Sequence, residues 1–354
     1  MHRGPDGDDR PGADRARIGI GLQSDKSPGS YAPLAALAES HGIDVVSVFS
    51  DLLYQPPIAA LLEMAAATER VQLGAACWNP YTLHPYEIAG QLATLDLASD
   101  GRAYLGLARG TWLGAIGVAQ PRPLAHLAEA AAVIAALLAG SEEGVDGEVF
   151  SLSPGTTLRY PRARPKVPLL LGTWGPRGAA LAGGIADELK LGGTANPAMV
   201  AVTRERLAVG AAPAGRRAED VGIVLGAVTV VDTDGPAARR RARREVAMSL
   251  DGVAELDPTV TVPEEMLARV RGHLAAGDHD AAGAAIGDEV LELFAFAGTP
   301  DQVAAQAQAV LDAGADRVEF GTPHGLTDHG GIELIGSRVL PQLDLRAQKQ
   351  AAAR

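Results

Sequence analysis

Short apolar runs alternate with longer segments of helical periodicity along this chain from residue 17 onward. "RIGIGLQ" (17–23) and the β-branched "IDVVSVF" (43–49) read as buried strands on either side of the helix "YAPLAALAESHG" (31–42), which stops at Gly42. "PPIAALLEMAAATER" (56–70) opens with prolines suited to a first helical turn and gives way to the strand "VQLGAAC" (71–77). The helix "PYEIAGQLATLDLASDG" (85–101) leads to a fourth strand, "RAYLGLA" (102–108), and then to a helix over "LAHLAEAAAVIAALLAG" (124–140). "GEVFSLSPGTTLRYP" (147–161) breaks the alternation as a hairpin-like insertion. "VPLLLGTW" (167–174) and "DELKLGG" (187–193) are strands five and six around the helix "RGAALAGGIA" (177–186), and "GIVLGAVTVVD" (222–232) is the seventh. A largely helical excursion over 236–297 precedes "GTPDQVAAQAQAVLDAG", a helix bracketed by a Thr299 cap, Pro300 and a Gly314 stop. "DRVEFGTP" (316–323) completes eight units. Eight βα repeats predict an α/β fold, a TIM (β/α)8 barrel with insertions around 144–165 and 236–297, spanning 17–354 as a single domain behind a disordered tail at 1–16.

Composition changes that picture little but restricts the partners. A hydrophobic share of 47% with aromatics at 4% describes a core of Ala, Val, Leu and Ile, as helices packed on parallel strands require. A net charge of -12 opposes phosphate backbones and anionic lipid, so neither nucleic acid nor membrane is expected as a partner. One cysteine forms no internal disulfide, and the first residues lack the apolar stretch of a secretory signal, so the expected location is cytoplasmic. None of the eight histidines belongs to an H-E-x-x-H motif or a close acidic cluster, so no metal site is expected.

In such a barrel the chemistry sits where strands end. Here those ends read Ser50-Asp51, "AACWNP", "ARGTW", "GTWGPR", "GGT" and "GTPHG". "LGTWGPRG" ends a strand and opens a helix, so its backbone N–H groups and Arg177 suit a phosphate; an ordinary glycine-rich turn is the alternative. It is neither a Walker loop nor a dinucleotide fingerprint. Asp51 suits either a polar cofactor edge or a helix cap. Asp96 and Arg102 are expected to pair across a helix end, His84 to lie on the surface, and the run "ARRRARRE" (238–245) to form a solvated face.

The stretches "LGAACWNPY", "ATLDLASDGRAYLGLARG", "LLLGTWGPRGAALAGGIADELKLGG", "GTPDQV" and "VEFGTPHG" together resemble the luciferase-like superfamily, most closely its coenzyme F420-dependent branch typified by methylenetetrahydromethanopterin reductase. The resemblance implies a deazaflavin at the C-terminal ends of the strands and a homodimer or higher homo-oligomer. It places cofactor contacts at Asp51, Asn79, Arg109 and Gly110, at Gly172, Thr173, Trp174, Gly175 and Arg177 around the phosphate-bearing tail, and at Gly192 and Gly193. It also implies a strand-three bulge with a cis peptide between Ala76 and Cys77, backing the ring. That assigns Cys77 a backbone role and not that of a nucleophile, since no histidine or lysine lies near it in sequence.

The departures bear on the reaction. Gly21 stands where the methanopterin reductases have a strand-one glutamate, Thr111 where they have an aspartate, and Leu52 where the related dehydrogenases have a histidine. The resemblance therefore implies an F420-dependent oxidoreductase moving a hydride between reduced deazaflavin and an activated C=N or C=C bond of a small-molecule or peptidyl substrate. Asp51, Thr111 and Trp112 are its candidate catalytic and pocket residues. An FMN-dependent monooxygenase on the same barrel and a non-catalytic deazaflavin-binding relative are the alternatives.

Overall fold

A computed structural model describes residues 15–346 of the chain. Eight parallel strands close into a barrel: β1 Arg17–Leu22, β2 Val45–Val48, β3 Gln72–Ala75, β4 Leu105–Ala108, β7 Leu169–Gly172, β8 Glu188–Gly192, β9 Gly222–Val231 and β11 Arg317–His324. Ladder pairing runs β3-β2-β1-β11-β9-β8-β7-β4, and the parallel bridges Leu73↔Ala103 and Trp78↔Leu107 join its two ends. The intervening helices are α1 Tyr31–Ser40, α2 Pro57–Ala67, α3 Pro85–Ala98, α4 Pro123–Ala139, α5 Pro176–Ile185, α6 Ala198–Ala211 and α12 Pro300–Asp312, with α13 Asp328–Leu334 after the last strand. In α12, Thr299 Oγ1 accepts from the Gln302 N–H while Gln302 Oε1 accepts from the Thr299 N–H, and the chain leaves the helix through Gly314 at a φ of +96°. Among the described residues no helix is long and apolar enough to cross a membrane.

Two insertions interrupt the alternation of barrel strands and helices. The antiparallel pair β5 Val145–Asp146 and β6 Ser151–Leu152 forms the hairpin after α4. The excursion after β9 holds α7 Gly235–Ala247, α8 Leu250–Ala254, α9 Glu264–Ala275, α10 His279–Ala284 and α11 Asp288–Phe294 around a second apolar cluster. It ends, however, in a strand that periodicity concealed: β10 Ala295–Gly298 pairs in parallel with the far end of β9. Four small or aromatic residues continuing a helix give no period of their own, and only the unpaired edge of the long β9 makes them a strand. At the N-terminus residues 1–14 of the tail expected over 1–16 lie outside the described residues, and its last two are engaged. Ala16 is buried and donates its N–H to Leu345 O at 2.8 Å, and Arg15 pairs with Asp44.

Other local expectations are corrected by packing. Asp96 and Arg102 do not pair: Asp96 accepts from Arg164 Nη2 at 3.0 Å and from the Ala103 N–H at 3.1 Å. Arg102 donates instead to the carbonyls of Thr68, Val71 and Ser99 at 2.8, 2.8 and 2.7 Å, tying the end of α2 to the strands beside it. The arginines of α7 are not a free solvated face either. Arg239 and Arg243 reach Asp288, Arg244 reaches Asp280, and Arg243 Nε donates to Ile286 O, so they hold α10 and α11 against α7. His84, by contrast, is exposed as expected, and there it is the N-cap of α3, accepting from the Tyr86 N–H at Nδ1.

Candidate functional site

The barrel interior departs from the usual filling of Val, Ile and Leu. Register places Gly19, Gly21, Gly74, Gly106, Gly172, Gly192, Gly226 and Gly321 at alternate, inward positions of seven strands. What a Cβ would meet at each divides them. At Gly21 it would stand 2.5 Å from the Phe49 ring, at Gly74 2.5 Å from the Tyr104 ring, at Gly19 3.3 Å from the Glu319 side chain and at Gly226 3.3 Å from Lys190 Cε. These glycines make room for large side chains that cross the barrel. Gly192 is different: nothing lies within 4 Å of its Cβ position. At Gly172 only Cys77 Sγ at 3.1 Å and Ala108 Cβ at 3.3 Å are close. The backbone at Gly192 is therefore uncovered and at Gly172 only the small Cys77 and Ala108 side chains lie against it, so the C-terminal ends of β7 and β8 form a floor with little side-chain cover.

The side chains below that floor are charged and buried. Lys190 Nζ donates to Glu319 Oε1, Ser47 Oγ donates to Glu319 Oε2 at 2.8 Å, and the Tyr104 hydroxyl donates to Ser47 Oγ at 2.7 Å, with Gly74 O at 3.3 Å as its alternative acceptor. A second layer lies deeper, where Glu188 receives both Arg17 and the fully buried Arg317. The Lys190 and Arg317 charges hold the Glu319 carboxyl below its ordinary range against the opposing effect of burial. The sequence reading missed this network. Its signal was Arg317-x-Glu319 and Glu188-x-Lys190, charges two residues apart in otherwise apolar strands and so on one face.

Around the rim the structure gathers the expected positions. Asp51 is half-buried beyond β2 and caps no helix, since α2 begins behind Pro56. Desolvation pushes its carboxyl above the ordinary range, opposed by the Gln23 amide and the Lys190 charge. Gln23 Nε2 itself is buried without a well-formed hydrogen bond. The Ala76–Cys77 peptide beyond β3 is cis. Asn79 Oδ1 accepts from the Tyr81 and Thr82 N–H groups, leaving only its amide nitrogen for a ligand. Gly110, at a φ of +84°, brings the backbone against Asn79, where a Cβ would sit 3.0 Å from the Asn79 side chain. Arg109, Thr111 and Trp112 beside it are exposed, with Trp112 also in the left-handed region at a φ of +60°.

The turn after β7 is built for a helix N-terminus. Gly175 precedes α5 without a side-chain cap, leaving the first-turn N–H groups and the exposed Arg177 free. Trp174 Nε1 donates to Gly192 O at 3.1 Å and its carbonyl accepts from Arg206 at 2.7 Å, so the indole ties this turn to the end of β8. The Thr173 N–H donates to Lys190 O, and Gly193 turns at a φ of +89° with its N–H on Gly226 O.

Cys77 faces this floor from the opposite side. Its Sγ lies between the Gly106 and Gly172 positions, and burial pushes the thiol up to about 12. A thiol so raised is a weak nucleophile at neutral pH. Alkylation of the native protein by iodoacetamide is therefore expected to be slow at pH 7 to 9 and still rising at pH 10, where an ordinary thiol has levelled off. A plateau near pH 8.5, followed by mass spectrometry, would return Cys77 to the list of reactive groups.

The family model described as luciferase-like monooxygenase matches residues 13–317. The 5,10-methylenetetrahydromethanopterin reductase of Archaeoglobus fulgidus is 30% identical over 317 residues, 87% of this chain and 93% of that protein. An F420-dependent glucose-6-phosphate dehydrogenase of Nocardia farcinica is 27% identical, over 89% and 94% of the two chains. Among solved structures, the coenzyme F420-dependent tetrahydromethanopterin reductase of Methanopyrus kandleri superposes with a TM-score of 0.85 at 25% identity, covering 93% of this chain and 99% of that one.

Proposed function

This chain belongs to the luciferase-like monooxygenase family, and from that premise we propose that it is a coenzyme F420-dependent oxidoreductase that moves a hydride between reduced deazaflavin and an activated C=N or C=C bond of a small-molecule or peptidyl substrate. The observation that carries this reading is the floor at Gly172 and Gly192, flanked by the cis peptide at Ala76–Cys77 and by the uncapped start of α5. A flat ring fits against bare backbone, and a phosphate fits the free N–H groups of that helix. The deazaflavin, when bound, supplies the hydride chemistry.

The chain's own residues bind, orient and shield. Asp51, with the Gln23 amide beside it, offers an acceptor to the polar edge of a ring. Arg109, Gly110 and the Asn79 amide border it beyond β4 and β3. Trp112 and the apolar, exposed Leu53 and Ile116 extend the rim where a substrate enters. The Thr111 hydroxyl orients a substrate or a water but is a poor acid at neutral pH, so a preactivated acceptor that needs no strong protein acid suits this site. Orientation over the ring then supplies much of the rate.

Arg177 is the clearest single contact for the cofactor's phosphate. Arg177→Ala is expected to weaken deazaflavin binding by roughly tenfold or more while leaving the circular dichroism spectrum unchanged, because it removes a charge-assisted hydrogen bond and no packing. An unaltered dissociation constant would put the phosphate elsewhere.

The reading as a whole is tested by titrating the purified chain with oxidised F420 and with FMN and recording difference spectra. Tight F420 binding, followed by reduction of a panel of imines and enones, supports it. Tight FMN binding with oxygen-dependent oxidation favours the monooxygenase alternative, and F420 binding with no turnover on any acceptor favours the non-catalytic one.

A further inference from the structure

The charged pair inside the barrel has no role in the binding scheme above, yet its burial is costly. Two ions withdrawn from water each lose several kcal/mol of hydration, and a pair is often no more stable than apolar residues of equal volume. Lys190 and Glu319 have side chains only 8% and 1% exposed, and three glycines, at positions 19, 21 and 226, are left without side chains around them. Their orientation is defined. Glu319 is held from below and beside by Ser47, while the ammonium lies 5.0 Å from the centre of the Phe49 ring, with Lys190's own carbonyl bonded to the Thr173 N–H of the floor turn. Lys190 stands on β8, in register with Gly172 on β7 and two residues before Gly192, whereas Glu319 stands on β11 and is bonded to Ser47 of β2. The positive end of the pair thus faces the floor from beneath, and the negative end faces the Ser47–Tyr104 chain.

We propose that Lys190, oriented by Glu319, is a positioning residue that sets the charge preference of the ring site, favouring the ring in its reduced, more negative state. A hydride brings two electrons and one proton, so a ring that accepts it becomes more negative by one unit unless it also takes up a proton. A fixed ammonium below the floor, in surroundings of low dielectric, favours that state at no cost of reorganisation. Ser47, itself bonded to Tyr104, holds Glu319 in place, and Glu319 in turn accepts from the ammonium. The inference rests on the reading of the floor as a ring site, and its test separates the two.

The full chain is titrated with F420 and, in parallel, with FMN, each in its oxidised and its chemically reduced state, and the ratio of the two dissociation constants is read for each ring. Lys190→Gln removes the cation at similar volume. Because it leaves Glu319 charged and buried, the double variant Lys190→Gln with Glu319→Gln is made beside it, and Lys190→Arg keeps the charge. In whichever of the first two variants folds, the reduced ring is expected to lose about tenfold more affinity than the oxidised ring, equivalent to a potential about 30 mV lower for a two-electron couple. Lys190→Arg is expected to hold the wild-type ratio. Equal weakening of both states, or no change, overturns the inference and leaves the pair a packing role. If the wild-type chain binds FMN and not F420, the cofactor reading falls, and the same ratio measured with FMN still decides the role of Lys190. A wild-type chain that binds neither ring overturns both.

Discussion

Gly172→Leu is expected to abolish ring binding while the barrel still forms. The Cβ of this residue would contact Cys77 Sγ at 3.1 Å and Ala108 Cβ at 3.3 Å, tight but yielding neighbours, and the rest of the side chain would extend over the floor toward Gly192, where nothing stands within 4 Å. Overpacking of about 1 to 3 kcal/mol at the Cβ and γ positions is within what a large barrel tolerates. The ligand has no such latitude, since a branched side chain and a flat ring cannot share one surface, and affinity should fall by roughly a hundredfold or more. Fluorescence titration with F420 measures the loss, and thermal unfolding checks the fold. A Leu variant that binds normally would place the ring away from β7 and β8.

Gly21→Glu restores the acid that the resemblance places on strand one, and it should harm the protein without helping the reaction. The new Cβ would lie 2.5 Å from the Phe49 ring and 3.0 Å from Glu319 Oε1, so the side chain meets an aromatic ring in the core and brings a second carboxylate against the first. Displacing Phe49 would also disturb the Lys190 ammonium stacked on its ring. The expected result is a loss of about 1 to 3 kcal/mol or more, seen as a lower urea midpoint at an unchanged slope, with no gain in turnover. Wild-type stability together with faster turnover would show that the strand-one acid is simply missing. The predicted outcome would mean instead that its space has been given to the Phe49 ring and to Glu319 from the last strand.

How much of this was legible beforehand differs between fold and site. The eight strands, the helices named between them, the hairpin after α4 and the caps of α12 follow from local chemistry: β-branched apolar runs, Pro in first turns, Gly at positive φ. The rim positions follow too, because strand ends in a barrel necessarily converge at one mouth. β10 was illegible, since "AFAG" has no period and becomes a strand only by completing the edge of β9. The Asp96–Arg102 pairing failed for a related reason. Closeness in sequence suggested it, but Arg164, 68 residues further on, and the carbonyls ending α2 offered better partners.

The sequence by itself determined the barrel, because a period of two or of 3.6 residues is a property of neighbouring positions and needs no knowledge of what lies across the core. It also marked which turns are glycine-rich and where Arg177 opens a helix. What the glycines are for emerges only in the folded barrel. In the chain they are alike; in the barrel Gly19, Gly21, Gly74 and Gly226 yield space to Glu319, Phe49, Tyr104 and Lys190, while Gly192 stays bare and Gly172 meets only the small Cys77 and Ala108 side chains. The physical reason is that a side chain's neighbours across a closed sheet come from strands up to three hundred residues apart, and the register that brings Gly21 beside Gly321, and Glu319 beside Gly226, exists only once the barrel has closed.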